Sequence, residues 1–587
     1  MPATKRGTKG TATGGTLRIG LFDPGMTPLH RAGLAGLWMT LAALDERPED
    51  SETRERLQSL GGSWERARDS VTFTWSGEGK AFFSELIRQS FRLTEDGRFW
   101  FLGLGHPDGH KDGGTVLQAA VLETFLQHPR TREADEAKNP SGRLVLDIDG
   151  NNLRFSYRVV RWYKHQKCAE IFRHTKQNGV RTWLIPGGIV RHQVFERETE
   201  LVEDPGLWLA LLYAPVGSIY FRIRSYARGV KPQFCLAVPD LDDLERYARM
   251  RRLFLSSPVQ DLVVAGVADA GLRVLAKLEA ERLIAKGVAA RCHVFAFGVA
   301  PWARQQRTRV DRYVVEGVGG KELRMFRNAV HLLPTLAARP LPNERPEEAE
   351  GPSQGSVGGG SRRSRRGATG GRGDAAGPEG DSEGDGGELN WEVSPLLDLV
   401  ARNVAAGRPW WNGVTSLIRA PDTWAQWRRY DRALAMRRRR SDLKSAPGGV
   451  AAMVSQPDAF TTAEEAIVEA CQEAWRRRLG ALSERARTRG ERFQDLVERE
   501  RERLRIAFAH CKNAESLRAA LIDFWSRAGT IPTLRERWRE VLPYLGPERW
   551  QLTRDLALLA LVSYAAQEEN REASNGADRA EELPEGS

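Results

Sequence analysis

Imidazole and carboxylate alternate in His106-Pro-Asp108-Gly-His110-Lys-Asp112, a spacing that could turn several ligands toward one zinc or manganese ion. The segment is rich in Gly and Pro, however, which suits a polar surface turn better than a rigid cage, and no second ligand set stands near it. His165, Cys168 and His174 could form another ligand group, but they lie in a basic run that repels a cation. Asp147 and Asp149 in LVLDIDG share one face of an expected strand and could hold Mg²⁺ for phosphodiester cleavage. A strand ending in an Asp-Gly turn is far commoner and is the better reading. The phosphate-loop pattern is approached only at Gly77-Glu78-Gly79-Lys80-Ala81, where Thr74 stands in place of the first Gly and Ala81 lacks the Mg²⁺-binding hydroxyl. A helix start after a hairpin is the better reading there. No catalytic set, metal or cofactor is expected.

Cations mixed with aromatics point elsewhere. Between Arg154 and His192 stand nine Lys and Arg and a single acid, Glu170, interleaved with Phe155, Tyr157, Trp162, Tyr163, Phe172 and Trp183. Cations neutralise phosphates and aromatic faces stack on splayed bases, the mixture used by proteins that bind single strands or open duplexes. The candidates are Arg158, Arg161, Lys164, Lys167, Arg173 and Lys176 for phosphate, with Trp162 or Tyr163 for stacking. A core of aromatics under a solvated basic face is the competing explanation. In a second piece, Ile219 to Arg228, an expected strand places Arg222 and Arg224 on the solvent face, with Phe221 and Ile223 toward the core. A third is Trp302-Ala-Arg304-Gln-Gln-Arg307-Thr-Arg309. Farther on, Arg428, Arg429, Arg432, Arg437, Arg438, Arg439 and Arg440 cluster on expected helices, where neighbouring Glu could instead make a salt-bridged face.

The elements that must position these residues fall into two parts. The 587 residues carry 88 Lys and Arg against 77 Asp and Glu, and 41% apolar residues with 17 Trp exclude a wholly disordered or fibrous chain. Residues 339–390 are Pro, Gly, Ser and charge, with little to bury, and are expected to be a flexible tether. Residues 1–15 and the acidic tail 571–587 read alike. Residues 1–338 carry 49 basic and 38 acidic groups, and residues 391–570 carry 30 and 24, so the parts expected to fold hold +17 although the whole chain is +11. That excess favours an acidic partner.

In residues 16–338, β-rich runs (Leu17–Phe22, Val71–Trp75, Phe99–Leu104, Arg143–Ile148, Leu153–Val160, Ser218–Arg224, Phe234–Val238, Cys292–Phe297) alternate irregularly with helical patterns. Residues 391–570 show helical patterns alone, including Trp424–Arg440, Glu484–Ala509 and Pro547–Gln567. The expected fold is α+β: a large mixed N-terminal domain followed by a tethered all-α helical bundle. Five widely spaced Cys without a C-x-x-C pair indicate a reducing compartment, and the longest strongly apolar run, Leu556–Ala566, is shorter than the roughly 20 residues that span a bilayer. A cytoplasmic protein without a membrane partner is expected.

The opening segment Leu17–Leu44, LRIGLFDPGMTPLHRAGLAGLWMTLAAL, is the most distinctive. Pro24-Gly25 makes a turn after a strand, Thr27 can cap the next helix, Pro28 suits its first turn, and Gly33 with Gly36 allow close packing against the sheet. This segment resembles the large subunits of type I CRISPR Cascade complexes in their myxobacterial form, the Cas-eight-a group that includes the fruiting-body developmental protein DevT. The resemblance implies a non-enzymatic subunit that binds target DNA and its flanking motif. Its implied partners are CRISPR RNA, the Cascade backbone and five-prime-handle subunits, and a recruited nuclease-helicase. It also implies a link to fruiting-body development and sporulation. Two alternatives remain open at this point, a metal-dependent nuclease and a developmental regulator acting through protein contacts only.

Overall fold

The structure is a computed structural model of the chain, and it describes residues 14–133, 141–148, 151–181, 183–186, 201–223, 233–240, 242–283, 290–300, 307–333, 394–418 and 447–564. Strand β1 (Gly15–Gly20) runs into a turn in which the Asp23 carboxylate accepts from Gly20 N at 2.6 Å and Gly25 takes φ +89°. Helix α1 (Pro28–Glu46) follows, with Thr27 and His30 forming a reciprocal capping box and Pro28 in the first turn. From Leu29 to Leu44 nearly every α1 side chain is buried, which marks it as the central helix of the N-terminal part.

Helix α2 (Ser51–Ser59) precedes the hairpin β2 (Gly62–Arg66) and β3 (Ser70–Trp75), which pairs with β1 in an antiparallel sheet of order β1-β3-β2. Gly77 and Gly79, both at positive φ, then turn the chain into α3 (Lys80–Ser90), so the glycines near Lys80 serve a helix start. Next come the short hairpin β4 (Phe91–Leu93) and β5 (Phe99–Phe101), then helix α4 (Lys111–Glu123). Strand β6 (Arg132–Glu133) pairs with β9 (Trp162–Tyr163) across the hairpin of β7 (Ser141–Ile148) and β8 (Asn151–Arg158). Strands β10 (Asn178–Gly179) and β11 (Val202–Glu203) form another small pair.

Helices α5 (Pro205–Leu212) and α6 (Ala214–Gly217) lie against α1. This corrects the expected partner of Gly33 and Gly36, which is helical backbone rather than the sheet. A Cβ at Gly33 would stand 1.7 Å from Ala210 O, one at Gly36 2.5 Å from Tyr213 O, and one at Gly217 1.7 Å from Ala32 O. Beyond them lies a five-stranded sheet of β12 (Ile219–Ile223), β13 (Gln233–Pro239), β14 (Val263–Val264), β15 (Arg291–Ala300) and β16 (Arg307–Glu316), in the order β14-β12-β13-β15-β16. All its pairs are antiparallel except β12 with β14. Helices α7 (Leu244–Leu255) and α8 (Val267–Ala280) pack on it, and α9 (Gly320–Leu332) packs on α8.

The C-terminal part is helical throughout its described residues: α10 (Pro395–Ala405), α11 (Thr415–Ile418), α12 (Pro447–Val454), α13 (Thr462–Arg489), α14 (Phe493–Ala509), α15 (Ala514–Ser526), α16 (Pro532–Val541) and α17 (550–564). The fold is therefore a mixed α+β N-terminal part followed by an all-α part, as the sequence pattern indicates. Helix α10 packs on α8 and α9, and α12 packs on α9 so closely that a Cβ at Gly449 would lie 2.1 Å from Leu332 O. Asn328 donates to Gln456 at 2.7 Å. Buried Asp555 on α17 accepts from Gly413 N at 2.6 Å and from Thr415.

Candidate nucleic-acid interface

The basic run folds as a surface layer whose alternate side chains are driven into the core. Tyr163 is fully enclosed, its ring 4.8 Å from Phe99 and its hydroxyl donating to Arg92 O at 3.2 Å. His165 is equally enclosed among Phe91, Tyr163 and Trp183, and burial drives its pKa down to about 3. Cys168 is buried with its Sγ on Lys164 O, and burial raises its thiol. Phe172 stacks on Trp208, and Trp183 is buried. Tyr163, Phe172 and Trp183 are thus core, and Tyr163 is removed from the surfaces on which a base could stack.

The cations stand between these anchors. Arg158, Arg161, Lys164, Lys167, Arg173 and Lys176 fall at intervals of three, with Glu170 in the one gap. Residues Lys164–Glu170 form a 3₁₀ turn, in which positions i and i+3 eclipse, so Lys164, Lys167 and Glu170 line up in one row. Arg158, Arg161, Lys167, Arg173 and Lys176 are exposed and Lys164 is half-buried. Trp162 is half-buried beside them. Its indole N–H donates to the Glu133 carboxylate, and its ring holds Lys167 Nζ at 3.8 Å and Lys164 Nζ at 6.0 Å from the centroid.

Three positioning residues were not singled out in the sequence. Buried Gln118 on α4 donates to Arg158 O at 2.8 Å while accepting from Phe99 N, which fixes the end of β8. Buried Asn178 accepts from Arg173 N and donates to Arg173 O and Lys176 O, closing the loop that carries both cations. Glu133 orients Trp162 through its side chain and accepts from Arg161 N at 3.0 Å through its carbonyl. The Asn178-Gly179 dipeptide carries a turn signal in sequence; Gln118 and Glu133 carry none.

Of the remaining candidates, Arg222 falls among the described residues and stands on a different sheet from this row. Arg222 lies on β12 of the five-stranded sheet and is half-buried, as is Ile223, whereas Phe221 is in the core. Arg224, Arg428, Arg429, Arg437 and Arg438 lie outside the described residues, as do Trp302 and Arg304. Among the ligand-like groups, Asp108 pairs with Arg98 at 2.7 Å and with His106 at 3.2 Å, and Asp112 accepts from Val259 N. His174 stacks on Phe83. Among the described residues no three His, Cys, Asp or Glu are placed to hold a metal ion. Asp149 and the side chain of Asp147 lie outside them.

The family model of the DevT N-terminal domain matches residues 18–212, and that of the DevT C-terminal domain matches residues 457–586. Together they cover more than half of the sequence. The chain belongs to the DevT family. It is also similar to the CRISPR-associated protein Cas8a1/Csx13 of Myxococcus xanthus (strain DK1622), 26% identical over 570 residues, which span 93% of this chain and 88% of that relative. The DevT N-terminal match contains every candidate from Arg158 to Lys176 together with α1 and α5, and it ends just before α6. The DevT C-terminal match begins just after α12, so α10 and α12, which pack on the N-terminal part, lie outside it. Among the described residues no helix is long and apolar enough to cross a membrane.

Proposed function

We propose that this chain is the large subunit of a type I CRISPR RNA-guided surveillance complex of the Cascade kind, and that it contacts target DNA through the row from Arg158 to Lys176. The observation that carries this reading is the likeness to a CRISPR-associated protein over nearly the full length of both chains. The exposed cations beside Trp162 support the assignment of the surface. In such a complex, base pairing with the CRISPR RNA reads sequence, while protein supplies charge, shape and stacking around the paired strand and its flanking motif. The row suits the phosphate part of that task, and Trp162 suits an unpaired base.

The partners under this reading are CRISPR RNA, target DNA, the backbone and five-prime-handle subunits, and a recruited nuclease-helicase. The role is cytoplasmic and non-catalytic and needs no cofactor. A contribution to fruiting-body development and sporulation belongs to the same reading, supported by the two DevT matches. The test is to purify the tagged chain from its own cells and sequence the RNA that accompanies it. Short RNAs sharing one repeat-derived 5′ end, together with further subunits in fixed ratio, are expected. A chain that purifies alone and free of RNA contradicts the proposal.

A further inference from the structure

Arg251 on α7 is 2% exposed, and its Nε donates to Val216 O at 3.1 Å. Its Nη2 is buried without a hydrogen-bond partner, and among the described residues no carboxylate pairs with it. The nearby acids are engaged elsewhere: Asp240 with Arg31 at 3.0 Å and His293 at 3.2 Å, and Asp243 with the backbone N of Arg246. Burial lowers the guanidinium to about 10, so it stays charged at neutral pH. One carbonyl and the face of Tyr220, 5.8 Å away, offset only part of a full interior charge.

Two hydroxyls in the same region are likewise unmatched. Tyr247, one helical turn before Arg251 and so on the same face of α7, is buried with no partner for its hydroxyl. Ser218, two residues beyond the carbonyl that Arg251 grips, is fully buried with its Oγ unpaired. An unpaired interior cation, with one unpaired hydroxyl on its own helix face and another on the chain segment it grips, has the donor chemistry of an anion site.

We propose that a small monovalent anion, chloride being the abundant species, occupies this interior beside Arg251, held by its guanidinium and by the Tyr247 and Ser218 hydroxyls. The anion completes the junction of α6, α7 and β12, and ties stability to halide independently of any nucleic acid. The full chain is unfolded thermally in sodium chloride and in sodium gluconate at equal ionic strength. A midpoint higher by roughly 2–4 °C in chloride, saturating with concentration, is expected from binding to the folded state alone. Tyr247→Phe, which keeps the ring, should remove most of that difference, and Arg251→Met should remove all of it if the variant folds. Equal midpoints in the two salts overturn the proposal. So does a chloride effect of full size in Tyr247→Phe, which would assign the halide to surface arginines.

Discussion

Trp162 keeps an edge in solvent because Tyr163 beside it is locked into the core with its hydroxyl on Arg92 O. The two rings should separate cleanly on mutation. Tyr163→Ala is expected to cost about 3–5 kcal/mol in urea unfolding, as for other buried aromatics. Trp162→Ala should leave stability nearly unchanged and weaken DNA binding by the assembled complex about tenfold, the size of one lost base stack. Equal effects of both on stability would show that Trp162 is merely core. His165 carries a second prediction. Its folded pKa, about 3, lies below the unfolded value near 6.5, so the neutral form belongs to the folded chain. The stability present above pH 6.5 is then lost as pH falls toward 3, by about 1.4 kcal/mol per pH unit from this group. Urea midpoints between pH 7 and pH 5 measure it, and His165→Phe should flatten the slope by about one proton; an unchanged slope refutes the assignment. At this scale the sequence displayed the cations and their spacing of three, but not which aromatics turn inward. Residue type alone cannot separate a stacking ring from a core ring when both sit in one basic run.

Helix α1 owes its place to Gly33, Gly36 and Gly217, where two helical backbones meet without side chains between them. Gly33→Ala puts a Cβ against a carbonyl that cannot yield, and is expected to cost about 3 kcal/mol or more, the upper end of overpacking. Gly480, exposed within α13 with open space around it, provides the contrast: Gly480→Ala should stabilise by about 0.5–1 kcal/mol through helix propensity. Paired urea titrations test both, and a tolerated Gly33→Ala would mean that the α1–α6 contact is looser than it stands here. The turn, cap and first proline of α1 were legible in DPGMTP because their determinants are local. The partner of its glycines was not, since α5 and α6 come much later in the chain. Strand β16 was missed because its Arg-rich alternation reads as a basic surface; as the edge strand of its sheet, it uses charge where an apolar strand would invite pairing with another chain. The expected helix Glu484–Ala509 is broken at Gly490, whose φ of +66° caps α13, a glycine signal that helical periodicity overrode.

At the scale of the whole molecule, α10 and α12 pack on α8 and α9, so the chain returns to the N-terminal part immediately after residues 339–390. Proteolytic cleavage within 339–390 should therefore leave two fragments that elute together on gel filtration. Their separation at moderate salt would mean that the helical part is held by the covalent link alone. The succession of a mixed part and a helical part was legible from the patterning, but the attachment of α10 and α12 was not, because apolar helical faces do not name their partners. Contact with target DNA is tested by the affinity of the reconstituted complex for duplex carrying the target and its flanking motif, measured across a salt series. With Arg161→Glu, Lys164→Glu and Lys167→Glu combined, affinity should fall sharply and the logarithmic salt slope should shrink by roughly 3, about 0.9 for each phosphate contact removed. Unchanged affinity and slope would contradict the account and leave the basic row a solvated face or a contact between subunits.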